Sequence, residues 1–525
     1  MSGEKMVLRF LANLKFSNFI LSFSHSDYLV AVGGTEKVMH EEQAEYWKNE
    51  ISYVQIHACL PREEEWQKGY INQLVCINVD STPVGHFTML QLGLIIEFLQ
   101  KTGRINLIAL QIHHLMYLSV SAIQFLLNTI QVPKICVFIH CYYTVCPLIN
   151  LGEVFCEGIC TGCEHEEIRS RHYSIIKKFF NRINAEFIAP SHVAAKIWCK
   201  SFPEHAERTR VIPHLVARNA RVEVRTETCG KRLASANYRP RIAYVGYENF
   251  HKGLNTWWRL VANSDLKDKY QFFHLGAFSI RMPNVTYALV SFLETGLDSM
   301  KNALIEHKID IAFLWSVCPE TYSFTLHEAF AANCFVLTNG ISGNIAAQIR
   351  ETGRGIICRN EPDMLHLLND RQRIKNLLQS HFTQHTPVDF FYNSQLIEES
   401  KHYLMPPKHL DASAADYSWI NYSGNDLLRL IEIETLRADH IQKMGKRIQD
   451  LEHMLSIANE NLEKHEQQNR GQNKSVYSES RAHRLLENTI RILGRHPVTE
   501  RAVKSVWIFI WNVFSKIKDR VQRKP

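Results

Sequence analysis

IDIAFLWSVCPETYSFTLHEAFAANCFVLTNG, residues 309–340, is the stretch on which the reading of the fold turns. Its opening, Ile309–Val317, is an apolar, β-rich run of the length of a strand buried on both faces. Thr325–Ala332 is made mostly of good helix formers, and CFVLTNG returns to the strand pattern. Glu320 then falls on the loop leaving the carboxyl end of a strand, and Glu328 about one turn inside the helix that follows. In open α/β sheets that junction is where ligands bind. Thr321, Ser323 and Thr325 add hydroxyls, and a helix start offers free N–H groups and a positive dipole end. The assembly suits a polyhydroxylated, phosphate-bearing ligand. Two glutamates so placed also serve as a cap and a solvated face, so the rest of the chain has to decide.

Working outward, the same alternation fills most of the sequence. FILSFS (19–24) reads as a first strand, VGGTEKVMHEEQAEYW (32–47) as a glycine turn feeding a helix, and INLIALQIHH, ICVFIHCYY and AEFIAPS as later strands. This predicts a parallel sheet with crossover helices over residues 1–215, an N-terminal Rossmann-like domain. Residues 216–240 are polar and weakly periodic and read as a linker. From Arg241 the pattern restarts: RIAYVGYE, YQFFHLGA, IDIAFLWSV and CFVLTNG are strands of a second Rossmann-like domain, 241–400. The expected fold class is α/β, two such domains facing a cleft, followed by a helical coiled-coil tail.

Beyond a second linker (401–422) the regime changes. Ile441, Met444, Ile448, Leu451, Leu455, Ala458 and Leu462 alternate spacings of three and four, a coiled-coil seam within 423–470 that predicts a homo-oligomer. A single amphipathic helix packed on the body is the alternative. In 483–525, Val503, Val506, Trp507, Ile510, Trp511, Phe514 and Ile517 share one helical face, with Lys504, Ser505, Asn512 and Lys516 mostly opposite. That pattern predicts a helix lying in an anionic membrane surface, or one docked on the core.

Composition agrees with a soluble body: 525 residues, 46% hydrophobic and 22% charged. The net charge is +7, but residues 501–525 hold seven Lys/Arg against one acid, so the body is close to neutral and no nucleic-acid surface is expected. The N-terminal residues break their apolar stretches with Lys15 and Asn18, unlike an export signal, and no apolar run reaches the roughly 20 residues of a membrane span. Thirteen cysteines without such a signal point to a reducing cytoplasm. The expected location is cytoplasmic, peripherally associated with the inner face of the cell membrane.

Further loops repeat the device seen at Glu320. In VGYENFHKG, Gly246 follows a strand at a tight turn and Lys252 comes six residues later, where a lysine can neutralise a diphosphate or be a surface charge. NGISGN (339–344) follows CFVLT, and its glycines let backbone approach a ligand. Gly33, Gly34 and Thr35 stand at a strand-to-helix turn in the first domain. Four loops on the carboxyl side of two sheets argue against coincidence.

The order Gly33-Gly34, IHCYYTVCP, APS (189–191), GYENFHKG and PETYSFTLHEAFAANCFVLTNGISG resembles the retaining nucleotide-sugar glycosyltransferases of the GT-B fold, family 4, over roughly residues 18–400. The resemblance implies transfer of a sugar from a nucleotide-sugar donor to a glycan or lipid-linked acceptor, in surface polysaccharide or lipopolysaccharide biosynthesis. It implies that Glu328 holds the nucleotide ribose and Glu320 faces the donor sugar. Ser323, Phe324 and Thr325 then meet sugar and phosphate through backbone amides, Lys252 binds phosphate, Gly33 and Gly34 approach from the other domain, and His140 lines the reaction centre. No cofactor is required for that chemistry. Two positions depart from the family pattern: Tyr247 stands where an arginine usually follows the glycine, and Cys141 where an aspartate often follows the histidine. A catalytically weak relative acting as a membrane-tethered assembly subunit, and a sugar-nucleotide epimerase on the same fold, are the alternatives.

A separate cluster, Cys146, Cys156, Cys160 and Cys163, includes a C-x-x-C. Thiolates at such loop spacings are typical zinc ligands, so a structural zinc knuckle is expected, with packed or free loop thiols as the alternative.

Overall fold

The computed structural model describes residues 3–59, 73–151, 166–219, 232, 235 and 237–406. The seam at 423–470, the basic helix at 483–525, and Cys156, Cys160 and Cys163 lie outside these residues. Both sheets described below belong to one compact unit, Met1–Gly445.

The first sheet contains β1 (Asn18–Ser24), β2 (Ser52–Ala58), β3 (Leu74–Val79), β4 (Thr82–Thr88), β5 (Asn106–Ile112), β6 (Ile135–Phe138), β7 (Glu186–Ala189) and β8 (Thr209–Val211). Their order is β4-β3-β2-β1-β5-β6-β7-β8. β1 is buried at every residue, which is why NFILSFS lacks polar alternation. From β2 to β8 by way of β1 all pairs are parallel, but β3 and β4 form an antiparallel hairpin on the β2 edge. Its two turn residues, Asp80 and Ser81, both have positive φ, +48° and +67°, the backbone that matches strand twist in a two-residue hairpin. Asp80 fixes the turn by accepting from the N–H groups of Tyr53 (2.8 Å) and Lys15 (2.9 Å) and from the Trp47 indole (2.6 Å). The N-terminal helix, Gly3–Ala12, places Met6, Val7 and Phe10 in the first core, each at most 3% exposed.

β9 (Leu215–Asn219) takes in residues 216–219 of the stretch read as a linker. The second sheet follows: β10 (Arg241–Val245), β11 (Gln271–Leu275), β12 (Val285–Ala288), β13 (Ile311–Phe313), β14 (Phe335–Asn339) and β15 (Gly355–Cys358), ordered β12-β11-β10-β13-β14-β15 and parallel throughout. Strand side chains alternate faces, and here each face carries its own core. Ile242, Tyr244, Ile311, Phe313, Phe335 and Leu337 pack on one side. Ala243, Val245, Ala312 and Val336 pack on the other.

β16 (Val388–Tyr392) pairs antiparallel with β9, and the chain then returns to the first sheet. In the helix Gln395–Ser400, Ile397 joins Ile20, Tyr28 and Tyr53, and Leu396 joins Phe138 and Ile188. Glu399 bonds Arg210 (2.8 Å) and Lys134 (3.0 Å), and these cations hold its carboxyl down to about 2. Asn106 and Asn18 donate to the carbonyls of Tyr403 and Met405, both at 2.9 Å. The chain crossing at 388–406 therefore docks the two sheets through packed side chains as well as backbone. Among the described residues, no helix is long and apolar enough to cross a membrane.

Candidate active site

The helix Phe324–Ala331 begins where the loop after β13 ends, because Ser323 caps it: its hydroxyl accepts from Leu326 N at 3.2 Å and lies 3.0 Å from the Thr325 hydroxyl. The first N–H groups of a helix have no acceptor within it, so Phe324 and Thr325 present theirs at this end. Glu320 precedes the cap, and the NGISGN loop braces it. Asn344 N donates to Glu320 O at 2.9 Å, and Gly343, at φ +61°, lies so close that a Cβ there would stand 2.5 Å from Glu320 N.

Lys252 closes the short turn Phe250–Lys252, capped by Asn249. Gly253 follows at φ +79°, and a Cβ on it would stand 2.1 Å from Trp315 O, so this close approach admits only glycine. The result is an ion pair, Lys252 Nζ to Glu320 Oε1 at 2.6 Å. Burial works against the lysine's charge, but the Glu320 carboxylate prevails and holds the ammonium above its ordinary value. Gly246, at φ +121°, leads out of β10, with its carbonyl 3.1 Å from His274 Nε2.

A second lysine comes from the first domain. Lys37 lies one turn inside the helix Gly34–Lys48, its N–H donating to Gly33 O at 3.0 Å. Its Nζ is 2.6 Å from Glu328 Oε1, 2.9 Å from Leu297 O and 5.3 Å from the Phe324 ring centroid. The two side chains are 10% and 14% exposed. Gly34 faces the second domain too: a Cβ on it would meet the Phe324 ring at 3.7 Å. Glu41, on the same helix as Lys37, is pushed up to about 7 by burial, with Lys37 opposing and Glu328 adding to the shift.

The domains also meet around Thr321. Its hydroxyl donates to the His140 carbonyl, and its own carbonyl accepts from Ser191 Oγ at 2.7 Å, the residue that caps the helix His192–Ser201. Leu215 N donates to the Tyr322 hydroxyl at 3.2 Å, and the His214 ring packs on Tyr322 (4.9 Å) and Phe324 (5.9 Å).

His140 is therefore brought to the second domain by its carbonyl. Its ring belongs to a chain in the first: Nε2 is 2.8 Å from His113 Nδ1, and His113 Nε2 is 3.0 Å from Glu42 Oε2, both of those side chains fully buried. Burial of the ring, then His214 and His113, push the His140 pKa well below the imidazole range. It is a neutral group at pH 7. Cys141 lies 3.1 Å from His114 Nε2, with its thiol pushed up to about 12 by burial. Tyr247 is 45% exposed. Cys146 is 3% exposed within the first core.

Glu320, Lys252, Ser323, Phe324, Thr325, Glu328, Gly33 and Gly34 are thus gathered where the carboxyl sides of the sheets approach. Lys37, Glu41 and the Glu42–His113 pair were not read from the sequence. Lys37 sits three residues after Gly34, and that spacing alone does not separate it from a surface lysine.

No protein-family model matches the chain, and no curated protein sequence does. Solved structures similar to it include a sucrose-phosphate synthase from Thermosynechococcus elongatus, at 12% identity and TM-score 0.45, covering 74% of this chain and 98% of that one. WaaG, a glycosyltransferase involved in lipopolysaccharide biosynthesis, is similar at 12% identity and TM-score 0.42, covering 73% and 94%. HepE from Anabaena, in complex with UDP-glucose, is similar at 13% identity and TM-score 0.43, covering 73% and 98%.

Proposed function

We propose that this chain is a retaining glycosyltransferase of the GT-B class, family 4-like, which transfers a sugar from a nucleotide-sugar donor to a glycan or lipid-linked acceptor. The observation that carries the reading is the two carboxylate–lysine contacts, Lys252–Glu320 and Lys37–Glu328, on the loop and helix that Ser323 caps. Glu328 accepts from the ribose hydroxyls and Glu320 faces the sugar. Lys252 and the first amides of the helix Phe324–Ala331 hold the diphosphate. Lys37 supplies the second cation that Tyr247 does not, and fixed positive groups stabilise charge developing on a leaving group.

In this scheme the acceptor hydroxyl attacks on the face the diphosphate leaves, and the leaving phosphate takes the proton. His140, neutral and bound into the first domain's histidine chain, lines the centre and shapes it. The protein contributes positioning and electrostatics; the scheme requires no metal. We further propose peripheral association with the cytoplasmic face of a membrane through residues 483–525, self-association through 423–470, a structural zinc at Cys146, Cys156, Cys160 and Cys163, and a place in surface-glycan synthesis.

The test is a thermal-shift screen of nucleotide-sugars on the full chain, followed by mass spectrometry and anomeric analysis of the product. A new glycosidic bond of retained configuration supports the proposal. Donor conversion without acceptor makes the chain an epimerase or hydrolase, and absence of nucleotide binding makes it a non-catalytic assembly subunit.

A further inference from the structure

The edge of the first sheet holds another set of ligating side chains, none of them a member of either glutamate–lysine pair. The register of β2, β3 and β4 pairs His57 with Cys76 and Cys76 with His86, so the three form one row across the strands. Directly paired residues project to one face of a sheet. Cys59 follows β2 two positions after His57 and comes to the same place: its Sγ is 2.9 Å from Cys76 Sγ. One ligand atom from each of Cys59, Cys76 and His86 lies within 4.8 Å of the other two. Among the described residues no other group of three His, Cys, Asp or Glu side chains is drawn together in this way. His57 itself turns toward the loop after β1, with Nε2 3.8 Å from Asp27 Oδ2. Asn78 donates to the other Asp27 oxygen at 2.8 Å.

We propose that Cys59, Cys76 and His86 bind one thiophilic divalent cation of the zinc class, leaving a fourth position for water or an added ligand. Two sulfurs and an imidazole are the donor set such ions select over oxygen-seeking ones. Bonds of about 2.3 Å in a tetrahedral site put two sulfurs about 3.8 Å apart, so the cysteine pair opens by roughly 1 Å to admit the ion. Both cysteines are half-buried, which leaves a path for entry. The His57–Asp27 contact connects the row to the loop that leads to Gly33, so the ion would stiffen the acceptor-side rim of the first domain. The site is separate from the Cys146, Cys156, Cys160 and Cys163 cluster, with which it shares no residue.

The full chain, stripped of metal under reductant, is titrated with Zn²⁺ against a chromophoric chelator, and with Co²⁺ for its thiolate charge-transfer absorption. Wild type should bind one equivalent more than Cys76→Ser and more than His86→Ala, and the cobalt band should weaken in Cys76→Ser. Since loss of a group that merely supports a ligand costs about 10–100-fold in metal affinity, loss of a direct ligand should cost at least that much. Cys160→Ser is the control and should leave this equivalent in place. Equal stoichiometry in wild type, Cys76→Ser and His86→Ala overturns the proposal. So does a Cys59–Cys76 disulfide that persists in a glutathione-reducing buffer whatever the Zn²⁺ concentration, because the pair is then a redox couple. If Cys76→Ser does not fold, Cys59→Ser and the edge-strand variant His86→Ala carry the same comparison.

Discussion

Replacing Glu328 by alanine should weaken nucleoside diphosphate binding by about 10–150-fold, and only for nucleotides that carry ribose hydroxyls. The magnitude follows from how the carboxylate is engaged. One oxygen, Oε1, is held by Lys37 at 2.6 Å, and the side chain is 14% exposed, so the other oxygen is the one free to accept from ribose. Two hydroxyls donating to a charged acceptor contribute about 1.5–3 kcal/mol each. The alanine variant loses both, but Lys37 no longer has to leave Glu328 to reach the diphosphate, which returns the cost of breaking one charge-assisted contact of similar size. The net is about 1.5–3 kcal/mol, and 1.4 kcal/mol is tenfold. Calorimetry with UDP, ADP and GDP identifies the nucleotide, and its 2′,3′-dideoxy form separates the hydroxyl contribution from any general loosening. Dideoxynucleotide affinity should be unchanged or higher in the variant. If the ribonucleotide binds folded Glu328→Ala as tightly as wild type, or both forms lose equally, Glu328 does not hold the ribose.

Glu320→Ala should lower kcat more than nucleotide affinity, read from steady-state kinetics beside the same calorimetry; the opposite split would move Glu320 out of the sugar subsite. Lys37→Met leaves Glu328 without its partner, and breaking a buried pair by removing one member costs about 3–5 kcal/mol, so thermal unfolding should shift down and diphosphate affinity should fall further than monophosphate affinity. Glu41, with its pKa raised to about 7 by burial, binds a proton in the fold that it has lost in the unfolded chain between the ordinary carboxylate range and about pH 7. That stability is present at low pH and lost as pH rises through 7. Glu41→Gln should therefore stabilise the chain at pH 8 and change little at pH 5 in paired melts. Truncation near residue 480 should abolish co-sedimentation with anionic liposomes while sparing activity on a soluble acceptor; equal binding of both lengths would refute the anchor.

The parts of the fold that were legible are those whose burial is written in continuous apolar runs, such as NFILSFS in β1 and RIAYV in β10. The β3–β4 hairpin was not, because β4 reads TPVGHFT with Thr82, Pro83 and His86 exposed, and its turn places non-glycine residues at positive φ. β9 reads LVARN and becomes a strand only through pairing with β16, far along the chain. The site divides in the same way. Glu320, Ser323 and Glu328 lie on one strand–loop–helix passage, and Lys252 on the corresponding turn of another. Lys37 and Glu328 are 291 residues apart, and nothing local to either announces the contact.

That contact bears on one of the two departures from the sequence pattern, Tyr247. With Tyr247 in place of a cation, a diphosphate bound only to the second domain would face Lys252 alone, itself tied to Glu320. Lys37 is carried by the first domain, so neutralising the leaving group requires both domains at once. On this reading donor binding and domain approach are one event. Glu328 holds Lys37 at 2.6 Å until phosphate competes for it. Salt should then weaken nucleoside diphosphate binding more in wild type than in Lys37→Met, because the variant has one fewer phosphate–cation contact to screen. Equal salt slopes by calorimetry, with both proteins folded, would return Lys37 to a purely structural tie between the sheets.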